Sequence, residues 1–363
     1  MASIYGNNII VSIFGQSHSK AIGVTINNLP PGFEIDMEKL ENFMKRRSST
    51  GKAYATKRKE PDKVEIVSGL INNKTCGAPL TALIFNSDFR PQDYSNLKNV
   101  PRPGHADYPA FMKFKNFQDP TGGGHFSGRI TAALSIAGAI SKQILEKKGI
   151  DIYTHVQEIH GIKDEQFNPL GPTKEQTNSL LSNSFPVINK EAGQKMEEAI
   201  LKASDENDSL GGIIECIVTN LPPGIGEPIF DGLENNIAKA IFGVPAVKGI
   251  EFGNGFFASK LKGSQNNDAY HIKDNQVRTK TNNHGGILGG ISTGMPLIFR
   301  VAIKPTSSIG LVQDSVNLDT MENEKLLVSG RHDPCITPRA VPAIEAACAV
   351  AVLDMFMSYK IWR

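Results

Sequence analysis

The sequence predicts an α+β fold, an antiparallel sandwich built from two related halves. Three observations lead to this prediction: motifs recur in the same order, short runs alternate as strands do, and amphipathic segments of helical length lie between them. No strand-like run leads into a Gly-x-Gly-x-x-Gly segment that opens a helix, which disfavours a Rossmann dinucleotide fold. An antiparallel α+β arrangement fits the irregular spacing of the strands better.

The first repeated motif is a Pro-Pro-Gly turn. Asn28-Leu-Pro-Pro-Gly32 recurs as Asn220-Leu-Pro-Pro-Gly224, each time after an alternating run. The segments that follow predict amphipathic helices over Met37–Arg47 and Gly232–Phe242. Pro-Pro-Gly turns are common between secondary-structure elements, so a single recurrence could arise by chance.

A second repeated motif locates an insertion in the second half. Cys76-Gly-Ala-Pro-Leu80 matches Thr293-Gly-Met-Pro-Leu297, and the offset between the copies grows from 192 residues at the first motif to 217 here. The second half therefore carries about 25 extra residues. The polar, Gly-rich stretch 263–290 is the expected place for them. Strands are predicted at Val64–Val67, Ile213–Val218 and Leu297–Ile303.

A third echo completes the pattern. Pro103-Gly-His-Ala-Asp107 leads to a predicted helix over Arg129–Lys147, and Gly330-Arg-His-Asp-Pro334 leads to another over Val341–Tyr359. Three echoes in one order indicate an internal duplication with a pseudo-twofold axis. We expect one domain over residues 1–363, with halves of about 1–150 and 200–363 joined by a variable segment, 151–200. An active site is expected where the halves meet.

Composition excludes several classes of protein. Thirty-nine Lys and Arg against 37 Asp and Glu give a net charge of +2, which indicates neither nucleic acid nor an anionic membrane as a partner. The apolar stretches Ala132–Ile140 and Ala343–Met357 are shorter than the roughly 18 to 20 residues that span a bilayer. The N-terminus lacks a secretory pattern, and the four cysteines lack metal or redox spacing. We expect a cytoplasmic protein without a membrane segment.

Two further features have ordinary explanations. The basic run from Lys45 to Lys59 usually marks a solvated face; RNA binding is the alternative, but Tyr54 is its only aromatic residue for stacking. His155 and His160 stand five residues apart without a matching ligand set, so no metal site is predicted and both are expected to be structural or surface residues.

Two histidines lie in predicted turns. His18 follows the strand-like run 9–14, and His105 follows a rigid Pro-Gly turn with Arg102 three residues before it and Asp107 two residues after it. Histidine exchanges protons near neutral pH, so the two could form an acid–base pair. Each could also be an ordinary loop histidine.

Other segments have the composition of anion and cofactor sites. Thr121-Gly-Gly-Gly-His-Phe-Ser-Gly-Arg129 precedes a helix of small residues and could turn backbone amides toward a ligand. Lys304-Pro-Thr-Ser-Ser308 combines a cation with three hydroxyls, as phosphate sites do. Arginines such as Arg339 predict an anionic substrate. A plain turn or a mobile loop would explain each segment separately.

The same segments, in this order, resemble the chorismate synthase family over essentially the whole chain. The motifs that carry the resemblance are Gly15-Gln-Ser-His-Ser, Arg58-Lys-Glu-Pro-Asp62, Arg102-Pro-Gly-His-Ala-Asp-Tyr, Gly122-Gly-Gly-His-Phe-Ser-Gly-Arg, Ala246-Val-Lys-Gly-Ile-Glu-Phe-Gly, Gly263-Ser-Gln-Asn, Asn283-His-Gly-Gly-Ile-Leu-Gly-Gly-Ile-Ser, Lys304-Pro-Thr-Ser-Ser and Gly330-Arg-His-Asp-Pro-Cys. The resemblance implies a β-α-β sandwich, with antiparallel sheets around helices, and usually a homotetramer.

The resemblance also implies a reaction. It is the anti-1,4-elimination of phosphate and a proton from 5-enolpyruvylshikimate 3-phosphate, which gives chorismate in the last common step of aromatic amino acid biosynthesis. Reduced flavin mononucleotide (FMN) is required without net redox change. NADPH could reduce this flavin, or a separate flavin reductase could do so; the chain has no obvious extra domain for the former.

Residue roles follow from the same resemblance. His18 would protonate the departing phosphate, His105 would stabilise the protonation state of the reduced flavin, and Asp333 would assist proton removal. The implied flavin contacts are His125, Phe126, Ser127, Pro245, Ala246, Gly289, Lys304, Pro305, Thr306, Ser307, Ser308 and Arg331. Arg47 would contact the nicotinamide, and the substrate clamp would be Arg46, Arg102, Arg129 and Arg339.

The chain departs from the family pattern at three places. At one of them, His125-Phe126 replaces the Arg-Ser of many members. Gln16 and Ser19 replace the usual Glu and Gly around His18, and Ser48-Ser49-Thr50 with Ala53 replace a Pro-Gly turn and a later basic residue. Two other functions compete with the implied one. A flavin-dependent oxidoreductase would consume flavin or NADPH during turnover, and an RNA-binding module would bind less tightly as salt rises.

Overall fold

A computed structural model describes residues 3–48, 62–86, 99–328 and 333–359 of the chain. The strands are β1 Ile4–Tyr5, β2 Ile10–Gly15, β3 Ala21–Asn27, β4 Glu65–Ser68, β5 Leu70–Ile71, β6 Lys74–Thr75, β7 Leu80–Phe85, β8 Asp151–Ile159, β9 Ile162–Lys163, β10 Gly212–Thr219, β11 Val247–Phe252, β12 Tyr270–Lys273, β13 Gln276–Thr279, β14 Ile287–Leu288, β15 Ile291–Ser292, β16 Leu297–Ile303, β17 Gln313–Asn317 and β18 Glu322–Leu326. The α-helices are α1 Met37–Arg47, α2 Asp107–Phe114, α3 Thr131–Glu146, α4 Lys174–Ser182, α5 Lys190–Asp205, α6 Leu233–Ile241, α7 Gly263–Asn266 and α8 Thr337–Tyr359.

Two antiparallel sheets enclose the helices. In the described chain, one five-stranded sheet has the order β1-β2-β3-β7-β4 and the other β11-β16-β10-β8-β9. Helix α3 packs on the first sheet, α8 packs on the second, and the two helices pack on each other between the sheets. Because each sheet buries one face against a helix, a strand such as β7 alternates between core and outer residues. The predicted α+β sandwich is confirmed.

The two sheets share one strand order, which is the structural signature of the duplication. The order β2-β3-β7-β4 in the first sheet matches β8-β10-β16-β11 in the second. The repeated turn is also matched, since Asn28 and Asn220 both adopt positive φ, 63° and 59°. Each amide side chain donates to a preceding loop, to Asn8 O at 2.8 Å and to Gly149 O at 2.9 Å. The pseudo-twofold prediction is therefore confirmed at the level of strand order.

The segment expected to join the halves contains part of the second half. Residues 151–159 form β8, which pairs with β10 in the middle of the second sheet. This strand shows no clear alternation of apolar and polar residues because both of its faces are buried. Its inner face packs on the helices, and its outer face is covered by residues 164–189. The 151–200 boundary is thus wrong for its first nine residues, and helices α4 and α5 were not predicted.

The predicted insertion lies between β11 and β16. This interval contains a short helical stretch, α7 and the hairpins β12–β13 and β14–β15, of which α7 and β12–β13 lie wholly within the predicted residues 263–290. In the first half, the equivalent interval between β4 and β7 holds the two short strands β5 and β6. The extra residues of the second half therefore lie outside the paired sheets.

Helix α8 is the central element of the core. Among the described helices, it alone is long and apolar enough to cross a membrane, and 89% of its most apolar window is buried inside the molecule. It begins four residues before the predicted start, at Thr337; Pro338 lies in the first turn, where proline is tolerated, whereas Pro342 lies inside the helix. Its burial on all sides explains its nearly uniform apolar sequence.

A buried histidine secures the outer face of the second sheet. The two ring nitrogens of His155 lie 3.0 Å from an Asp164 carboxylate oxygen and 3.1 Å from one of Glu215, and His155 is fully buried. Burial lowers its pKa, but the two carboxylates outweigh burial and raise it. His155 is therefore structural, whereas His160 is exposed in a turn with φ of 49°.

Candidate active site

A cavity of about 680 Å³ opens where the two halves meet. Its walls come from the turn after β2, the turn before α2 and the glycine-rich segment before α3 on one side. The other side is formed by the turn before β11, the loop after β16 and the start of the segment that leads into α8. Its size suits a cofactor together with a small substrate. Thirteen predicted site residues line it: His18, Arg102, His105, His125, Phe126, Ser127, Pro245, Ala246, Lys304, Thr306, Ser307, Ser308 and Asp333.

His18 is held at the cavity wall by close packing. Its Nδ1 lies 2.9 Å from the hydroxyl of Ser17, which is 1% exposed, and the Ser17 amide donates to Gly124 O at 3.0 Å. The ring lies directly against Gly122, where a Cβ would be 2.7 Å from Nδ1. A glycine is needed there for space and for its φ of 61°. The glycine-rich segment therefore also positions His18.

His105 is embedded in an ion-pair cluster. Its Nδ1 lies 2.5 Å from Asp107 Oδ1, and Asp107 also accepts from Arg102 Nε at 2.7 Å and Nη2 at 2.8 Å. Arg102 Nη1 donates to Ser308 Oγ at 3.1 Å, and Nη2 donates to Gly122 O at 2.7 Å. Arg102 thus lines the cavity while it ties together three of the loops around it.

The loop Lys304–Ser308 docks on the turn that carries His105. Lys304 Nζ donates to Ser307 Oγ at 2.6 Å, and Ser307 Oγ donates to Gly104 O at 2.7 Å. Burial and the nearby Lys248 lower the pKa of Lys304. Thr306 Oγ1 is buried and has no hydrogen-bond partner within the described residues. A hydroxyl in that state is suited to a ligand that supplies the missing partner.

The turn before β11 contains a residue with an unusual backbone conformation. Ala246 has φ of 72°, a left-handed conformation that alanine rarely adopts, and its carbonyl accepts from the Lys304 amide at 3.0 Å. Backbone strain of this kind collects at functional sites. Pro305, in the same loop, faces Gly211 and is not among the residues that line the cavity.

The glycine-rich segment presents two exposed side chains. Phe126 is 42% exposed at the cavity edge, and the His125 ring bonds Gly15 O and Ser3 Oγ, each at 2.7 Å. Ser127 accepts the Arg129 amide at 3.1 Å and so starts the short helical turn before α3. The imidazole of His125 is engaged with the first strands of the protein, so its ring braces the loop.

Asp333 enters the cavity as a buried acid. Arg339 Nη1 donates to its Oδ2 at 2.6 Å, whereas its Oδ1 is buried without a partner among the described residues. Burial raises the pKa of Asp333 and outweighs the opposing effect of Arg339. A carboxyl group with these properties can exchange a proton at higher pH than an ordinary aspartate.

The predicted arginine clamp is only partly assembled. Of its four members, Arg102 alone is among the described residues that line the cavity. Arg129 is 6% exposed and pairs with Asp62, and Arg339 is committed to Asp333. Arg46 points elsewhere and forms a bidentate pair with Glu345 at 2.7 and 3.1 Å. Sequence alone cannot show which cations are already neutralised by carboxylates.

Two predicted cofactor contacts are also placed elsewhere. Arg47 is 3% exposed; its guanidinium donates to Asp62 Oδ2 at 2.7 Å, to Thr131 Oγ1 and to two carbonyls, so it has no exposed face for a nicotinamide. Gly289 lies in the β14–β15 turn with φ of 62° and does not line the cavity. Arg331 lies outside the described residues.

The departures around His18 have a local explanation. The Ser19 hydroxyl accepts the Gln16 amide at 3.0 Å and donates to Ala21 O at 2.8 Å, so it closes the turn that a glycine would form by backbone alone. Ser48 ends α1, and its amide bonds Met44 O. Ser49, Thr50 and Ala53 lie outside the described residues.

Three residues that matter to this geometry received no role from the sequence. Ser17 orients His18, Asp62 neutralises Arg47 and Arg129, and Asp107 joins Arg102 to His105. Burial raises the pKa of Asp62, but the two guanidinium groups outweigh it and the pKa lies below its usual value. Each of the three stands inside a motif that was recognised, so the motif itself was the available signal.

Comparison with known proteins identifies the family. A family model described as chorismate synthase matches residues 9–357. The chain belongs to the chorismate synthase family. It is 48% identical to the chorismate synthase of Lancefieldella parvula, over 99% of this chain and 97% of that one, and 45% identical to that of Dehalococcoides mccartyi, over 98% and 96%. A crystal structure of a chorismate synthase superposes with a TM-score of 0.77 at 25% identity, over 98% of this chain and 93% of that one.

Proposed function

We propose that this chain is a carbon–oxygen lyase that converts 5-enolpyruvylshikimate 3-phosphate into chorismate by anti-1,4-elimination, with reduced FMN as cofactor. One observation carries the proposal: His18, His105 and Asp333 surround the same cavity as the Lys304–Ser308 loop. Membership of the chorismate synthase family supports this reading of the geometry. The reaction belongs to aromatic amino acid biosynthesis through the shikimate pathway.

The residues around the cavity fit a flavin mononucleotide. Lys304 and the hydroxyls of Ser307 and Ser308 suit its phosphate. Thr306 Oγ1, which has no partner within the described part of the chain, could bond the ligand as well. Phe126 offers an exposed ring, while the strained Pro245–Ala246 turn brings backbone to the cavity. When bound, reduced flavin supplies transient electron density to the substrate and is recovered, so no net redox change occurs.

Different side chains of the protein would carry out the separate proton transfers. His18 would donate a proton to the departing phosphate oxygen, with the Ser17 hydroxyl orienting its ring. Asp333 would assist proton removal, because its raised pKa makes the carboxylate a stronger base than an ordinary aspartate. His105 would hydrogen bond to the reduced flavin and stabilise its protonation state. Arg102 remains the one clamp arginine at the cavity in the described chain.

The setting of the activity is also a proposal. We expect a cytoplasmic homotetramer whose flavin is reduced by NADPH or by a separate flavin reductase. The saturated guanidinium of Arg47 supports the second source, since it offers no contact to a nicotinamide. The substrate is a small phosphorylated acid, and no nucleic acid or membrane is needed.

The proposal is tested with purified protein, dithionite-reduced FMN and 5-enolpyruvylshikimate 3-phosphate under anaerobic conditions. Chorismate absorbance and phosphate release should rise together over many turnovers while the flavin stays reduced. His18→Ala should lower kcat by about 10²-fold or more. His160→Asn is the control, because His160 is an exposed turn residue and asparagine tolerates its φ of 49°.

Two outcomes would contradict the proposal. Stoichiometric oxidation of flavin or NADPH during turnover would favour the oxidoreductase alternative. Absence of chorismate from a folded protein with bound flavin would mean that the chain has another substrate.

A further inference from the structure

The carboxylate of Asp107 is surrounded by donors on both of its oxygens. Oδ1 accepts from His105 Nδ1 at 2.5 Å and from Arg102 Nη2 at 2.8 Å. Oδ2 accepts from Arg102 Nε at 2.7 Å and from the Arg102 backbone amide at 3.0 Å. Four donors from two residues thus converge on one side chain. An aspartate that served only to hold Arg102 in place would not need the contact to His105.

The ionisation of Asp107 determines where the His105 proton lies. Burial would raise the pKa of Asp107, but the hydrogen bonds from Arg102 and His105 outweigh burial and keep this pKa well below its usual value. Asp107 is also the first residue of α2, where the helix dipole favours an anion. An ionised carboxylate can only accept, so the short contact requires a proton on His105 Nδ1.

The neighbouring guanidinium is consistent with this assignment. Arg102 Nη2 lies 3.1 Å from His105 Nδ1 and can only donate. Its two hydrogens are directed to Asp107 Oδ1 at 2.8 Å and to Gly122 O at 2.7 Å, so neither is left for Nδ1 as an acceptor. With Nδ1 engaged, Nε2 is the ring nitrogen left for a ligand in the cavity. Isolated histidine has no such restriction on which nitrogen carries its single proton.

We propose that Asp107 is a positioning residue that holds the proton of neutral His105 on Nδ1 and so presents Nε2 to the cavity. This rests on the proposed function for its consequence, because His105 Nε2 would be the atom that bonds the reduced flavin. Arg102 completes the unit by tying Asp107 to Gly122 O and Ser308 Oγ, the loops on either side. The arrangement follows the general logic by which a carboxylate fixes the tautomer of a catalytic histidine.

The first test determines which ring nitrogen of His105 carries the proton, and it does not require an activity assay. Protein with ring-¹⁵N-labelled histidine is sedimented and studied by solid-state NMR at a pH where His105 is neutral, and His105 is assigned by its loss in His105→Gln. The proposal expects a protonated Nδ1 and an unprotonated Nε2 in the wild type. The reverse in the wild type would overturn it, whatever reaction the protein catalyses.

The second test removes the carboxylate. In Asp107→Asn an NH₂ group replaces one acceptor and faces a donor in either orientation, so the Nδ1 proton of His105 should be lost from a substantial fraction of molecules. The kcat for chorismate formation should fall about 10²-fold, with a smaller change in KM for the phosphorylated substrate. An unchanged His105 tautomer beside a reduced kcat would overturn the proposal, because Asp107 would then act only through the fold.

Ser315→Ala is the matched control. The Ser315 hydroxyl donates to Pro101 O at 2.5 Å and so supports the same turn without touching His105 or Asp107. We expect this variant to keep the wild-type tautomer and kcat. If it reproduces the loss seen in Asp107→Asn, loosening of the turn explains both, and the positioning role of Asp107 is excluded.

Discussion

At the scale of single residues, the site depends on small groups that leave room for larger ones. Gly122 is the clearest case, because the His18 ring occupies the space that a side chain at position 122 would need. The histidines were found from their residue type and their position in turns. The roles of their partners, Ser17 and Asp107, followed only from the hydrogen-bond distances in the structure.

We expect Gly122→Ala to damage activity more than stability. The new methyl group would collide with His18 Cε1 and displace the ring, and φ of 61° would add about 1 to 2 kcal/mol of strain. The kcat for chorismate formation should fall at least tenfold, which steady-state assays would measure beside urea unfolding. Gly149→Ala is the control: it has φ of 75° and open space around it, so it should lose stability but keep kcat. Equal loss of kcat in both variants would contradict the steric argument.

At the scale of elements, helix α1 explains why the adjacent residues Arg46 and Arg47 pair with different carboxylates. Consecutive helix residues point about 100° apart, so Arg46 and Arg47 cannot share a partner. Arg46 reaches Glu345 on α8, and Arg47 reaches Asp62. Lys142 on α3 also pairs with Glu345, at 2.5 Å. A single buried carboxylate thus links three helices.

This link predicts a specific loss of stability in acid. Burial raises the pKa of Glu345, but Arg46 and Lys142 outweigh it and bring the pKa from 4.5 to about 2. Since the folded pKa is the lower one, the contribution is present above pH 4.5 and is lost as pH falls toward 2. It amounts to about 3 kcal/mol.

Glu345→Gln should therefore lower the free energy of unfolding by about 3 kcal/mol at pH 7, with a shrinking difference from the wild type as pH falls below 4.5. Urea unfolding at a series of pH values measures this. Glu206→Gln, at a residue whose side chain is 61% exposed, should change stability by less than about 0.5 kcal/mol. A difference at Glu345 that is constant with pH would show that lost packing, and not charge, is responsible.

At the scale of the whole molecule, the two halves share one core. Helices α3 and α8 belong to different halves, yet a single cluster of buried apolar residues includes both. They cross at Gly138, where a Cβ would collide with the Cα and Cβ of Ala346. Backbone approach of this kind leaves no flexible side chain to move aside.

Gly138→Ala should consequently destabilise both halves together. Separation of α3 from α8 is expected to cost about 1 to 3 kcal/mol, seen as a lower urea midpoint in one transition reported identically by circular dichroism and fluorescence. Gly263→Ala, with open space at its Cβ, should leave the midpoint nearly unchanged. Two separate transitions in Gly138→Ala would instead indicate that the halves fold independently.

Local patterns in the sequence were sufficient to predict the fold class and the duplication, and they pointed to His18, His105 and Lys304–Ser308 as candidate site residues. These depend on local periodicity, on turn residues and on repeats, which are all properties of neighbouring positions along the chain. The tertiary structure alone decided that β8 belongs to the second sheet, that Arg46 faces Glu345, and that Arg47 and Arg129 share Asp62. Those outcomes depend on which charges and surfaces meet across long separations in the chain, because a cation that is paired in the core has the same sequence signature as one that awaits a ligand.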